Sequence, residues 1–216
     1  AAAAAVIIQP RRALLWLAAL AAVLSAVAVG PLPVAGVLWA AAGAWATGWL
    51  LWPRLPDSVK TPAAAQLALG LAAWVSLVMW TAALPVHFLW TYALLPAAAA
   101  AAAWRRGWRP RIAIPELRSR SAAAAWCAGL FPLFAHWAVV LKPEVSADGL
   151  AMHMVIPARV AAEHRWPFDP AEFAWALMPM GGDWVWTIGW MLGGEAAARL
   201  MNLLLLGLIA WFAVGR

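Results

Sequence analysis

A single cysteine, Cys127, stands in the whole chain. One thiol excludes an internal disulfide, a paired-cysteine metal site and c-type haem attachment. The sequence also lacks the period-2 alternation of apolar and polar residues that barrel strands need. No repeat at the spacings of solenoids or propellers occurs, and no aromatic-basic motif of the nucleic-acid-binding kind is visible. A nucleic-acid partner is therefore not expected.

What the chain does contain is apolar. Hydrophobic residues make up 66% of 216 residues and the mean hydropathy is +0.80, well above what a soluble surface allows. Continuous apolar runs of about 20 residues select helices, because helices satisfy every backbone group inside lipid. The expected fold class is all-α, a polytopic membrane protein of about six spans. These are Ala13–Val29, closed by Gly30-Pro31-Leu32-Pro33, then Val34–Trp52, Ala63–Leu84, Phe88–Trp104, Ala122–Leu141 and Ala196–Val214. Arg11-Arg12 and the run behind them resemble a signal peptide, but more spans follow at once, so the segment is read as the first span. Residues 1–121 then hold four helices and a basic loop, and 122–216 hold a span, an outer loop at 142–195 with juxtamembrane helices, and a final span.

Charge sets the expected orientation. With the N-terminus cytoplasmic, the inner loops carry Arg11, Arg12, Arg54, Lys60, Arg105, Arg106, Arg109, Arg111, Arg118, Arg120 and Arg216, leaving Lys142, Arg159, Arg165 and Arg199 outside. That is the direction the positive-inside rule requires. It places the chain in the plasma or inner membrane as a multi-pass protein, with the loop after the fifth span extracytoplasmic. The arginines flanked by Trp104 and Trp108 suit anionic cytoplasmic lipid. Phe173–Leu192 is apolar enough to pass for another span, but Pro179, Gly181-Gly182 and Asp183 interrupt it. It is expected to lie on the outer surface, with Trp175, Trp184, Trp186 and Trp190 at headgroup depth.

The outer segment gathers Glu144, Asp148, Glu163, Asp169, Glu172, Asp183 and Glu195 out of nine carboxylates in all. Asp148, just past the fifth span, suits a general base at the water boundary. It equally suits an N-cap for the helix-like stretch Gly149–His164, which Pro157 interrupts. His153 lies about 140° from Asp148 around an ideal helix, so the two do not obviously share a face. Asp183 reads as a site residue or as a turn residue after two glycines. Arg159, Arg165 and Arg199 are candidates to meet a phosphate; snorkelling, and for Arg199 an i,i+4 pair with Glu195, are the structural alternatives. Trp166, Phe168 and Trp175 are candidate sugar-stacking aromatics.

The run Asp148-Gly149-Leu150-Ala151-Met152-His153, then Pro157, the Pro167-Phe168-Asp169-Pro170 turn, and Met178-Pro179 with Asp183 four residues on resembles the GT-C superfamily of membrane glycosyltransferases. The likeness is greatest to bacterial relatives of the family 39 and aminoarabinose-transferase type, and it covers about Leu133 to Arg216. It implies a glycosyltransferase that takes a sugar from a polyprenyl-phosphate donor on the outer face. In this resemblance Asp148 matches the catalytic or metal-binding acid, His153 the signature histidine, and Asp183 a further carboxylate. Gly149 departs from the more usual Ala or Glu, and Met152 stands where an aromatic is expected. A divalent metal is a cofactor some relatives use, although no full ligand set is apparent. Further C-terminal helices or a partner subunit are expected to complete the donor groove. The rival expectation is a non-catalytic membrane subunit, a lipid-binding module or part of a transporter.

Overall fold

The computed structural model describes residues 10–53, 62–110, 120–169, 171–173 and 180–214, and among these every regular element is helical. Three helices are long and apolar enough to cross a membrane: Pro31–Leu51, Pro62–Thr81 and Gly181–Ala213. Trp16, Val27, Trp80, Phe131 and Phe134 point outward on helices and are 65% or more exposed. So many large apolar side chains on one surface suit a lipid surround.

α1 (Pro10–Val29) ends at Gly30, whose φ of 92° and ψ of 157° suit glycine. α2 (Pro31–Leu51) starts there, three residues before the expected Val34. Pro31 and Pro33 fall in its first turn, where a missing N–H leaves no intrahelical bond unmade, so the prolines open a helix as well as closing one.

α2 carries buried Gly36, Ala40, Gly43, Ala44 and Gly48 along one side. α3 (Pro62–Thr81) answers with buried Ala64, Gln66, Gly70 and Trp74. The two run antiparallel, so close that a Cβ on Gly48 would overlap the Gln66 carbonyl and one on Gly70 the Ala44 carbonyl. Small residues permit this approach, and dispersion between touching backbones replaces the hydrophobic drive that lipid does not supply. Polar side chains cross the same seam. The Trp74 indole N–H donates to Thr47 Oγ1 at 2.9 Å, and Gln66 Nε2 donates to the Trp52 carbonyl at 3.1 Å. α4 (Leu89–Arg105) carries Pro96 inside it, seated against Gly43 of α2.

α5 (Arg120–Val140) is tied to α1 by the Trp137 indole donating to Ser25 Oγ at 2.8 Å. A π-helical turn, Gly149–His153, leads into α6 (Val155–Glu163), with Pro157 in its first turn. The break in the expected Gly149–His164 helix therefore falls at Met154, where the π-turn ends.

α7 (Gly181–Val214) is two limbs, 181–192 and 195–214, joined through Gly193 (φ −165°, ψ 21°) and Gly194 (φ 69°, ψ −161°). In one straight helix residues 189 and 198 would stand about 13 Å apart. Instead a Cβ on Gly189 would lie 2.9 Å from Ala198 Cα and 2.8 Å from Met201 Cγ, so the second limb folds back across the first. The first limb packs inward through Trp184, which is 5% exposed and shares the buried core with Val185, Ile188, Met191, Leu71, Val78 and Met201, while Trp186 and Trp190 are half-buried.

Candidate functional site

The loop from α5 to the π-turn is held by its own polar groups. Glu144 Oε1 accepts the backbone N–H groups of Val145 and Ser146 at 3.0 and 2.8 Å. Hydrogen bonding from Ser146, the main cause, holds the Glu144 carboxyl below its ordinary range. Ser146 Oγ in turn accepts the Gly149 N–H at 3.0 Å. A Cβ at residue 149 would sit 2.6 Å from Glu144 Cδ and 2.7 Å from Ser146 Oγ. A larger residue at 149 would require the Glu144 and Ser146 side chains to move.

Asp148 makes no capping hydrogen bond, and its backbone is already helical. The capping alternative is thereby set aside, since Ser146 supplies the acceptor. The π-turn closes through the Met154 N–H to the Gly149 carbonyl at 2.7 Å. Its i→i+5 bonding brings residues five apart onto one side. His153 Nε2 consequently lies 3.8 Å from Asp148 Oδ2. The expectation of different faces assumed an α-helix and is corrected by that one wider turn.

From the other side, the first turn of α7 brings Asp183, whose side chain is 7% exposed. His153 Nδ1 donates to Asp183 Oδ1 at 2.8 Å. With Asp183 as the accepting carboxylate, the proton of this bond sits on Nδ1 and Nε2 faces Asp148. The Asp148 side chain is 69% exposed and that of His153 43%. The result is a line running from buried Asp183 through His153 to open Asp148. The chain matches no family model, no curated protein and no solved structure.

Two further side chains adjoin it, Trp186, expected only as an interfacial indole, and Asn202, which the sequence did not single out. The Trp186 ring stands perpendicular to His153, centroids 5.4 Å apart, and its indole N–H donates to Asn202 Oδ1 at 2.6 Å. Asn202 is the only asparagine of the chain and lies within an apolar helix. A lone amide in such a run is the signal that could have marked it.

The expected phosphate-binding arginines divide. Arg165 is exposed. Arg159 is half-exposed, lies 3.3 Å from Glu163, and sets its guanidinium 5.1 Å from the Phe168 ring centroid. Arg199 is buried in a clasp: Nη1 donates to the Val140 carbonyl, Nε is 3.1 Å from Glu195 Oε1, and the same Oε1 accepts the Glu144 N–H. The i,i+4 alternative describes Arg199, which fastens α5 to the second limb. Its Nε–H is poorly aimed at Glu195 and makes no hydrogen bond.

Among the aromatics, Phe168 is 8% exposed beneath Trp166, Phe173 and Arg159. Its faces are occupied, so a stacking role passes to half-buried Trp166, which packs on Trp184 at 5.2 Å. Trp175 lies outside the described residues. A divalent ion fits poorly here. The two carboxylates take opposite nitrogens of one imidazole, and among the described residues no three His, Cys, Asp or Glu side chains converge on a common point.

The floor under residues 164–168 is a buried histidine. His87 Nδ1 accepts the Tyr92 hydroxyl at 2.6 Å, and Nε2 donates to the Thr81 carbonyl at 3.1 Å. The His87 N–H donates to the His164 carbonyl, and the Trp166 N–H to that of Ala82. Burial lowers the His87 pKa from 6.5, so the folded protein holds it neutral. A depressed folded-state value gives stability that is complete above 6.5 and is lost as pH falls through the lower value. The thermal midpoint is expected to drop on acidification from about pH 7 to about pH 5, more steeply than in His87→Asn. Parallel pH curves for the two proteins would refute this.

Proposed function

We propose that this chain is the opening portion of a GT-C-like membrane glycosyltransferase, moving a sugar from a polyprenyl-phosphate donor to an acceptor on the outer face. The observation that carries the reading is the meeting of Asp148, His153 and Asp183, drawn from two elements 30 residues apart in sequence. Each was a candidate on its own chemistry, and a purely structural chain has no need to join them.

In this reading Asp148, the most open of the three, takes the proton of the acceptor hydroxyl as its oxygen attacks the anomeric carbon. The sugar–phosphate bond breaks, and the electron pair leaves with the polyprenyl phosphate. His153 Nε2, 3.8 Å away, is placed to relieve Asp148 of the proton. Asp183 holds the imidazole orientation and stabilises the imidazolium that results. Arg165 and Arg159 are the open cations for the departing phosphate; Arg199 braces the loop. No step is assigned to a metal.

The proposal includes six spans, a cytoplasmic N-terminus and an outer Asp148 loop. Asp148→Asn in the full-length protein is expected to abolish transfer while membrane insertion and thermal midpoint stay as in wild type. Near-normal transfer would sink the assignment and favour a non-catalytic membrane module. Polyprenyl-phosphate sugar, but not free lipid phosphate, should protect residues 142–180 from proteolysis.

A further inference from the structure

We infer that Trp186 and Asn202 are positioning residues for His153, so that the reversal of α7 at Gly193–Gly194 is what sets the imidazole of the site. The inference rests on the reading of His153 as part of a transfer site only for its catalytic consequence; the side-chain arrangement stands by itself.

An imidazole on a half-exposed turn has two freedoms, rotation of its ring and choice of tautomer. Asp183 removes the second, because the proton must sit on Nδ1 to make the 2.8 Å bond. One hydrogen bond still leaves the ring plane free to swing about it. The perpendicular Trp186 ring, 5.4 Å away, limits that swing. Trp186 would itself turn about its side-chain bonds were the indole N–H not bonded to Asn202 Oδ1 at 2.6 Å.

Asp183 and Trp186 stand on the first limb of α7 and Asn202 on the second. The Trp186–Asn202 bond therefore exists only while the limbs are folded together. That closure is unusually tight, with a Cβ on Gly189 leaving less than 3 Å to Met201, Ala197 and Ala198. An amide in an apolar helix also costs free energy unless it is bonded. Among the described residues the Asn202 side chain is hydrogen-bonded by the indole, whose ring in turn meets His153 edge to face. Packing alone would be served as well by Leu at this position.

The experiment uses the full-length protein in lipid nanodiscs with 15N-labelled histidine, the His153 signals being assigned from their loss in His153→Gln. Wild type should show His153 protonated at Nδ1. Asn202→Leu, of similar volume, and Trp186→Phe, which keeps a ring but no N–H, should each shift the His153 ring signal towards that of a freely turning imidazole, with Nδ1 still protonated through Asp183. The double variant should shift it no further, and Asn202→Asp, which retains an acceptor, should restore the wild-type signal. Trp190→Phe on the same limb is the control and should change nothing.

In transfer assays kcat should fall by roughly tenfold to a hundredfold in Asn202→Leu with KM little changed, as a misplaced proton acceptor predicts. An unchanged His153 signal in Asn202→Leu, or additive effects of the two substitutions, would overturn the inference. If Asn202→Leu does not fold, Trp186→Phe against Asn202→Asp decides by the same signal. Wild-type protein without transferase activity would defeat the functional reading while leaving the histidine signals to judge this one.

Discussion

Gly70→Ala is expected to lower the thermal midpoint, although the same exchange in a helix normally stabilises by about 0.8–1.0 kcal/mol. A Cβ at residue 70 would penetrate the Ala44 carbonyl and stand 2.9 Å from the Gly48 nitrogen. Both are backbone atoms, and neither can rotate away. α2 and α3 must then move apart along the seam that unites them, weakening the Trp74–Thr47 and Trp45–Gln66 hydrogen bonds with it. Overpacking of this kind costs roughly 1–3 kcal/mol, or about 2–12 °C for a chain of this size. Gly207 supplies the opposite case, since it is helical and a Cβ there meets nothing within 4 Å. Gly207→Ala should hold or raise the midpoint. Should Gly70→Ala prove as stable as Gly207→Ala in the same detergent, the close seam is wrong.

The second large effect concerns the line of three site residues. Asp183→Asn keeps the shape of the side chain but no longer opposes an imidazolium with a charge, and its amide can present N–H where His153 needs an acceptor. His153→Gln removes the ring. Each is expected to reduce transfer by about 10²–10⁴, the usual share of proton-transfer groups. Groups acting as a unit lose their effect together. The double variant should therefore fall to the same floor as either single one. A double loss equal to the product of the two would show that Asp183 and His153 act separately.

Much of the helical scaffold was open to reading from the chain itself. Runs such as Ala63–Leu84 and Phe88–Trp104 are apolar throughout, and their ends fall within a few residues of α3 and α4. The prolines misled by position: Pro31 and Pro33 signalled a stop and in fact begin the next helix, while Pro96 is absorbed within α4 against Gly43. The site was legible residue by residue and obscure as a whole. Asp148 drew notice at the water boundary, His153 through the resemblance and Asp183 after two glycines, but an ideal helix separates Asp148 from His153. The π-turn that unites them depends on one shifted hydrogen bond, which no residue type announces. The link from Trp186 to Asn202 was out of reach because Asn202 lies on a limb that only the reversal brings near.

That reversal also bears on how the site is assembled in time. Asp183, Trp186 and Asn202 are linked by a turn of two glycines, so the chain closes a short loop at small entropic cost to bring them together. Contacts this local form early and fast. The indole and the amide can therefore meet without help from any other helix, whereas His153 reaches Asp183 only when the loop after α5 packs on the first limb.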